Sequence, residues 1–154
     1  VNSVLTHNRD ENAFTLFNSI SQYKIPAEKR LENGISILQK IRLSKEKSSV
    51  ALIAGLSSCF RKLITWHKLC PNDKYVDEFT LKTNGFSSKL MQTQYRNAAK
   101  IWTFGQATAI LALLSNTDMN IRSGGTLLED IYLEKLLYEI VIKKGSSLET
   151  ADYC

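Results

Sequence analysis

LALLSNTDMNIRSGGTLLEDIYLEKLL, residues 111 to 137, decides the fold class. Its first half reads as the end of a helix. Ala107, just upstream, clusters with Ile110, Leu111, Leu113, Leu114 and Ile121 on one side of a helix of period 3.6. Asp118 and Arg122 stand four apart, so their side chains can meet on one face. Gly124 and Gly125 then supply the freedom to turn out of the helix, because glycine tolerates positive φ. Thr126 with Glu129 three residues later is a capping-box pattern, in which each side chain satisfies an orphan backbone donor of the next helix. Behind it Leu127, Leu128, Ile131, Leu133, Leu136, Leu137, Ile140 and Val141 make a wide apolar surface. A helix apolar over more than a narrow stripe is buried on several sides. It belongs at the centre of a bundle or in an interface, and we read the stretch as an assembly element.

The rest of the composition agrees with a helical domain. The chain has 154 residues, enough for one domain with a sizeable core. Apolar residues make up 44% and charged residues 23%, which argues against disorder. Only two prolines and seven glycines interrupt long periodic segments. That scarcity of breakers predicts an all-α fold, a single bundle of about six helices. No apolar run reaches the roughly 18 residues needed to span a bilayer, so no membrane partner is expected. The opening VNSVLTHNRD is polar, with neither a basic n-region nor an apolar h-region, and is not expected to be a signal peptide. Cys59, Cys70 and Cys154 are odd in number and lack CxxC spacing. They suit reduced thiols better than a disulfide frame or a zinc site, which fits a cytoplasmic protein.

Taken in order, residues 1–9 read as a linker or frayed entry, 10–144 as the helical domain and 145–154 as a polar tail. Helices are expected from Asn12 to Ile20, from Pro26 to about Leu43 and from about Lys45, capped by Ser44, to Leu69. Pro26 suits a first turn, where a missing N–H costs nothing. Gly34 weakens its helix by about 1 kcal/mol relative to Ala and allows a close helix contact. Pro71, Asn72 and Asp73 end the third helix, and Lys74 to Leu81 is a short helix or turn. Asn84-Gly85 marks a turn between helices. Ser87 or Ser88 starts the next helix, which runs to about Ile101, and Thr103 with Gln106 is a second capping box. The last helix fades near Lys143, Lys144 and Gly145, where cations suit its negative end and glycine the residue past the cap.

Catalysis finds no support in these residues. HExxH, GxxxxGK[ST] and GxSxG are all absent. Neither His7 nor His67 pairs with a Cys, Ser or Asp at a recognisable spacing. Ser123 to Thr126 could present N–H groups to an anion, but a glycine break between helices explains them more simply. Glu129, Asp130 and Glu134 lack the Glu-x-x-His of a helical carboxylate metal site. No catalytic residue, cofactor or metal is therefore expected. Nucleic acid is a more open matter. The net charge is +5, which permits contact with phosphates without requiring it. Lys82, Lys89, Arg96 and Lys100, with Tyr95 and Trp102 between them, put positive charge and aromatics into one segment. The charges suit phosphates and exposed aromatics suit unpaired bases. Trp66 and His67, beside Arg61, Lys62 and Lys68, form a second basic neighbourhood.

One family resemblance covers roughly residues 10 to 143. LLSNTDMNIRSGGTLLEDIYLEKLLYEI resembles the end of the bacterial DNA polymerase III δ subunit, whose penultimate helix closes on an Asp, an Ile or Leu, a Lys or Arg, then Ser-Gly, before a last helix with an L-E-x-L-L pattern. Leu114, Asp118, Ile121, Arg122, Ser123 and Gly124 fill the first part, and Leu133, Glu134, Leu136 and Leu137 the second. Upstream, ISILQKIRLSKEKSSVALIAGLSSCFRKLI is similar to that family's helix pair, through Leu38, Ile41, Leu52, Ile53, Leu56, Phe60, Arg61 and Leu63. QYRNAAKIWT is similar to the segment before its penultimate helix. Arg122 stands where the family often has Lys, which keeps the charge but not the geometry. The resemblance implies a helical collar domain of a clamp loader, non-catalytic in itself, supporting DNA replication. Its implied partners are the γ/τ- and δ′-type clamp-loader subunits, with primer–template DNA as a further candidate. The sliding clamp would be bound by the family's N-terminal domains. Asp118, Arg122, Leu133, Glu134, Leu136 and Leu137 become candidate interface residues. Lys82, Lys89, Tyr95, Arg96 and Lys100 are the candidate DNA contacts of the alternative, a stand-alone nucleic-acid-binding domain.

Overall fold

The computed structural model describes residues 12–44, 48–124 and 126–146, and among them every regular element is helical. Seven α-helices succeed one another: α1 Ala13–Ile20, α2 Ala27–Leu43, α3 Ser49–Leu69, α4 Glu78–Thr83, α5 Lys89–Ile101, α6 Phe104–Gly124 and α7 Glu129–Val141. Short 3-10 turns lie at Pro71–Asp73, between α3 and α4, and at Thr126–Leu128, between α6 and α7. The expected all-α bundle is present, and the seventh helix is the segment after Pro71, shifted to Glu78–Thr83. The readings of residues 1–9 and of most of the tail lie outside the described residues.

Local chemistry sets most helix ends. Asn12 accepts from the Phe14 and Thr15 amides while Thr15 accepts from Asn12 N–H, which starts α1. Ser88 caps α5 through the Met91 amide. Thr103 and Gln106 form the expected reciprocal pair at the start of α6, at 3.0 and 3.1 Å. Asn84-Gly85 turns between helices, with Gly85 at φ +99. Two expected caps fall elsewhere. The helix expected from about Lys45 with Ser44 as its cap starts instead at Ser49, capped by Ser48, which accepts from Ala51 N–H; Ser44 closes α2. Helix α7 starts without a side-chain cap, on Leu128. The Glu129 carboxylate is taken by Arg42, 87 positions away, at 2.8 Å. Gly124 stays helical, and Gly125 lies outside the described residues.

Helices α3 and α6, each 21 residues, form the central pair. Helix α1 lies on α2 and α3, α5 on α3, and α7 across α6 and α2. Glycines permit two close approaches. A Cβ on Gly55 of α3 would stand 2.5 Å from the Ala13 Cβ on α1, and one on Gly34 of α2 would stand 2.9 Å from Ile20 and 3.2 Å from Leu137. The close contact expected at Gly34 is therefore real.

The core has two parts. One is leucine-rich, where Leu16, Leu38, Leu52, Leu56, Leu133, Leu136, Leu137 and Ile140 meet around a void of only about 10 Å³. The other is aromatic. Phe17 packs on Phe60, Tyr95 and Trp102, and Tyr95 leads through Phe86 to Trp66, all at centroid separations of 5.1 to 6.1 Å. Phe17–Phe60, Trp66–Phe86 and Phe86–Tyr95 meet edge to face and Phe17–Trp102 stacks, and such pairs add to burial. Trp102 donates its indole N–H to the Ile140 carbonyl at 3.0 Å, so its one polar atom is satisfied. Arg30 is a buried cation that donates to the Ile20 and Ile25 carbonyls, at the end of α1 and just beyond it. Burial pulls its pKa down, with nearby Glu28 opposing.

Candidate functional site

Two regions of the surface stand out, one at each end of α6. At the α6 start, a cleft of about 500 Å³ lies between the end of α3, the Pro71–Asp73 turn, α5 and the first turn of α6. Its lining brings together residues from both basic neighbourhoods of the sequence. His67 and Lys68 come from α3, Arg96 and Lys100 from α5. Asp73 is the carboxylate in the lining. The Arg96 guanidinium lies over the Trp66 ring at 5.3 Å and the Lys100 ammonium over Tyr23 at 4.4 Å. Such stacking orients a cation without neutralising it. Among the described residues, Lys68, Arg96 and Lys100 have no carboxylate within 4.0 Å. His67 donates from Nε2 to the Trp102 carbonyl at 2.8 Å, since a carbonyl only accepts, and this leaves Nδ1 as the open ring nitrogen. Phe104, 47% exposed, is the accessible aromatic of the lining. The capping pair uses the Thr103 and Gln106 amides, and the Phe104 and Gly105 amides have no intrahelical acceptor.

The other candidate DNA contacts lie elsewhere. Lys82 and Lys89 both approach Glu78, at 3.8 and 3.4 Å, outside the cleft lining. Glu78 is held below its ordinary pKa, first by the Gln92 side chain and then by Lys89. Tyr95 is a correction. It lies in the aromatic core against Phe17 and Phe86, 5% exposed, and cannot stack on a base. Burial and the neighbouring Cys59 push its pKa up. Trp102 is wholly buried for the same reason. The Cys59 thiol is pushed up to about 11, chiefly by burial, and stays neutral.

At the other end, α6, the Thr126–Leu128 turn and α7 form a helical hairpin. Arg42 fastens it to the bundle. Its guanidinium donates to Asp130, Glu129 and Ser49, each at 2.8 Å, joining the end of α2 to the starts of α3 and α7. Burial disfavours the charge, but the hydrogen bonds to Asp130 and Glu129 outweigh it and hold the Arg42 pKa above its usual value. The sequence offers no local signal for this clamp. Met119 of α6, Leu127 and Leu128 of the turn, Ile131 of α7 and, beside the clamp at the end of α2, Leu43 are exposed. Glu134 is exposed and lines a shallow cleft with Leu43, Arg42 and Asp130. Asp118 takes Arg122 Nε on Oδ2 at 2.9 Å, as its spacing predicts. Its other oxygen, Oδ1, is buried without a hydrogen-bond partner among the described residues. The pair lines a groove of about 300 Å³ between α3 and α6, which Arg61 also lines. Leu133, Leu136 and Leu137 require a correction, because all three are 2% exposed in this domain's own core and leave no surface for a partner. The outward apolar side chains of the same segment are Leu127, Leu128 and Ile131.

Among the described residues, no group of three or more His, Cys, Asp or Glu side chains is placed to hold a metal ion, and no helix is long and apolar enough to cross a membrane. Over 55 residues, 36% of this chain and 72% of the relative, the sequence is 46% identical to an uncharacterized protein of Treponema pallidum (strain Nichols). No family model matches the chain, and no solved structure matches it.

Proposed function

We propose that this chain, which belongs to the same family as the Treponema pallidum protein, is a non-catalytic assembly domain of a clamp-loader δ-type subunit. It packs against the collar domains of the γ/τ- and δ′-type subunits and so supports loading of the sliding clamp during cytoplasmic DNA replication. The observation that carries this reading is the exposed apolar end of the α6–α7 hairpin. Leu127 is 93% exposed, Ile131 62% and Leu128 41%, all within the turn and the first turn of α7, while the core behind them is already filled. Scattered apolar residues on a surface need no explanation, but a group at one end of a bundle marks an interaction site. The polar fringe of Arg122, Asp130 and Glu134 gives the rim that protein interfaces carry. The order of helical motifs along the chain supports the identity of the partners. Clamp binding and ATP-driven motion belong, in this reading, to the N-terminal domains of such subunits.

The test is co-purification of this domain with γ/τ- and δ′-type collar domains, followed by mass measurement in solution. A stable mixed complex is expected, and it should be lost when Leu127 and Ile131 are both replaced by Asp. A monomer that ignores these partners at micromolar concentration overturns the reading.

A further inference from the structure

The geometry points to a second binding site, at the opposite end of α6 from the apolar hairpin: the cleft under Arg96 and Lys100 takes single-stranded nucleic acid. Phosphates lie on Lys68, Arg96 and Lys100, and one unpaired base lies on Phe104. The inference does not depend on the assembly reading, because the two sites use different residues.

Four features favour this occupant. The cleft, about 500 Å³, is the size of a site for a nucleotide-sized group. Three cations and one carboxylate line it, and those cations have no carboxylate partner within 4.0 Å among the described residues. Arg96 and Lys100 are already oriented by the Trp66 and Tyr23 rings, so less side-chain freedom is lost when a phosphate binds. The first turn of α6 adds the open Phe104 and Gly105 amides, and a Cβ on Gly105 would meet nothing within 4 Å, so that backbone is approachable. Phe104 decides between anions. An acidic polypeptide would use the charges alone, whereas a base has a π-face that an exposed ring in the same cleft can stack on. A duplex would present its bases already stacked.

The experiment is fluorescence anisotropy of labelled oligothymidylate, about 12 nucleotides long, titrated with the whole chain over a range of salt. Binding is expected to weaken with a log–log slope of about −2, three phosphate contacts at roughly −0.7 each. Lys68→Glu with Lys100→Glu should weaken binding more than about tenfold and flatten that slope. Phe104→Ala should weaken it about tenfold and leave the slope unchanged. All these side chains are exposed, and circular dichroism checks that each variant is folded. Lys82→Glu with Lys89→Glu, outside the cleft, should change binding less than the cleft pair. Absence of binding at low salt overturns the inference. So does a loss that is equal for both lysine pairs, or competition by polyglutamate as strong as by unlabelled oligothymidylate, which would reassign the cleft to an acidic protein segment. A preference for duplex of the same length also overturns it.

Discussion

Leu136 and Leu127 belong to one short segment of chain, yet the first is 2% exposed and the second 93%. Between them the hairpin divides its apolar residues into two sets. Leu133, Leu136, Leu137, Ile140 and Val141 face α6, α2 and the rest of the core. Leu127, Leu128 and Ile131 face away. Sequence composition treats the two sets alike, because a wide apolar surface is visible whichever way it points. Only the neighbouring helices decide the destination. The inner set stabilises this domain, while the outer set does little for it and is available to something else.

The largest effect should come from the inner set. Leu136→Ala or Leu137→Ala is expected to lower stability by about 2–5 kcal/mol, read by chemical denaturation. The void beside them is only about 10 Å³, so each truncation opens new space that close-packed neighbours fill only in part. A loss below about 1 kcal/mol would mean the two faces are less distinct than they look.

A second effect concerns the close approaches that place α7 and α1. Gly55→Ala sets a Cβ 2.5 Å from the Ala13 Cβ, a short stub with nowhere to rotate. A loss of about 1–3 kcal/mol is expected, although Ala is the better helix former by about 1 kcal/mol. Gly34→Ala presses on Ile20 and Leu137, which can give slightly, and should cost less than Gly55→Ala. A gain in thermal stability for Gly55→Ala would show that α1 is not seated tightly on α3.

The Arg42 clamp holds the boundary between the two sets. A double-mutant cycle of Arg42→Ala with Glu129→Ala should give a coupling of about 1 kcal/mol. The pair is only partly buried, at 24% and 19% side-chain exposure, which keeps the value well below that of a fully desolvated ion pair. Coupling near zero would mean that packing alone orients the hairpin.

How much of this is legible beforehand depends on the range of each interaction. Asn84-Gly85, the Thr103–Gln106 box and the Asp118–Arg122 pair act over one to four residues, and each is visible as spacing. The all-α class comes from periodicity that needs no partner. Glu129, read locally as the partner of Thr126, has its carboxylate on the Arg42 guanidinium 87 positions away, which no local window contains. Tyr95 and Trp102 are visible as aromatics among cations, but neighbouring positions of α5 face different ways. The helix turns Arg96 and Lys100 to the surface and Tyr95 to Phe17. The meeting of Lys68 with Arg96 and Lys100 depends on how α3 and α5 pack, which no local window contains.

The smallest expected change in stability is the most informative about function. Leu127→Asp and Ile131→Asp replace side chains that are 93% and 62% exposed, so folding should change by no more than about 0.5 kcal/mol for each. Ile131 is the more sensitive of the two, since part of its side chain does touch the domain. The Cys59 thiol gives an internal control. It is 1% exposed, and burial raises its pKa to about 11, so alkylation requires the core to open. Leu136→Ala should speed that alkylation, and Leu127→Asp should leave its rate as it is. If Leu127→Asp abolishes a mixed complex while Cys59 stays equally protected, the lost binding belongs to the outer surface itself. If Cys59 becomes reactive as well, Leu127 is part of what keeps the hairpin closed, and the separation of the two faces fails.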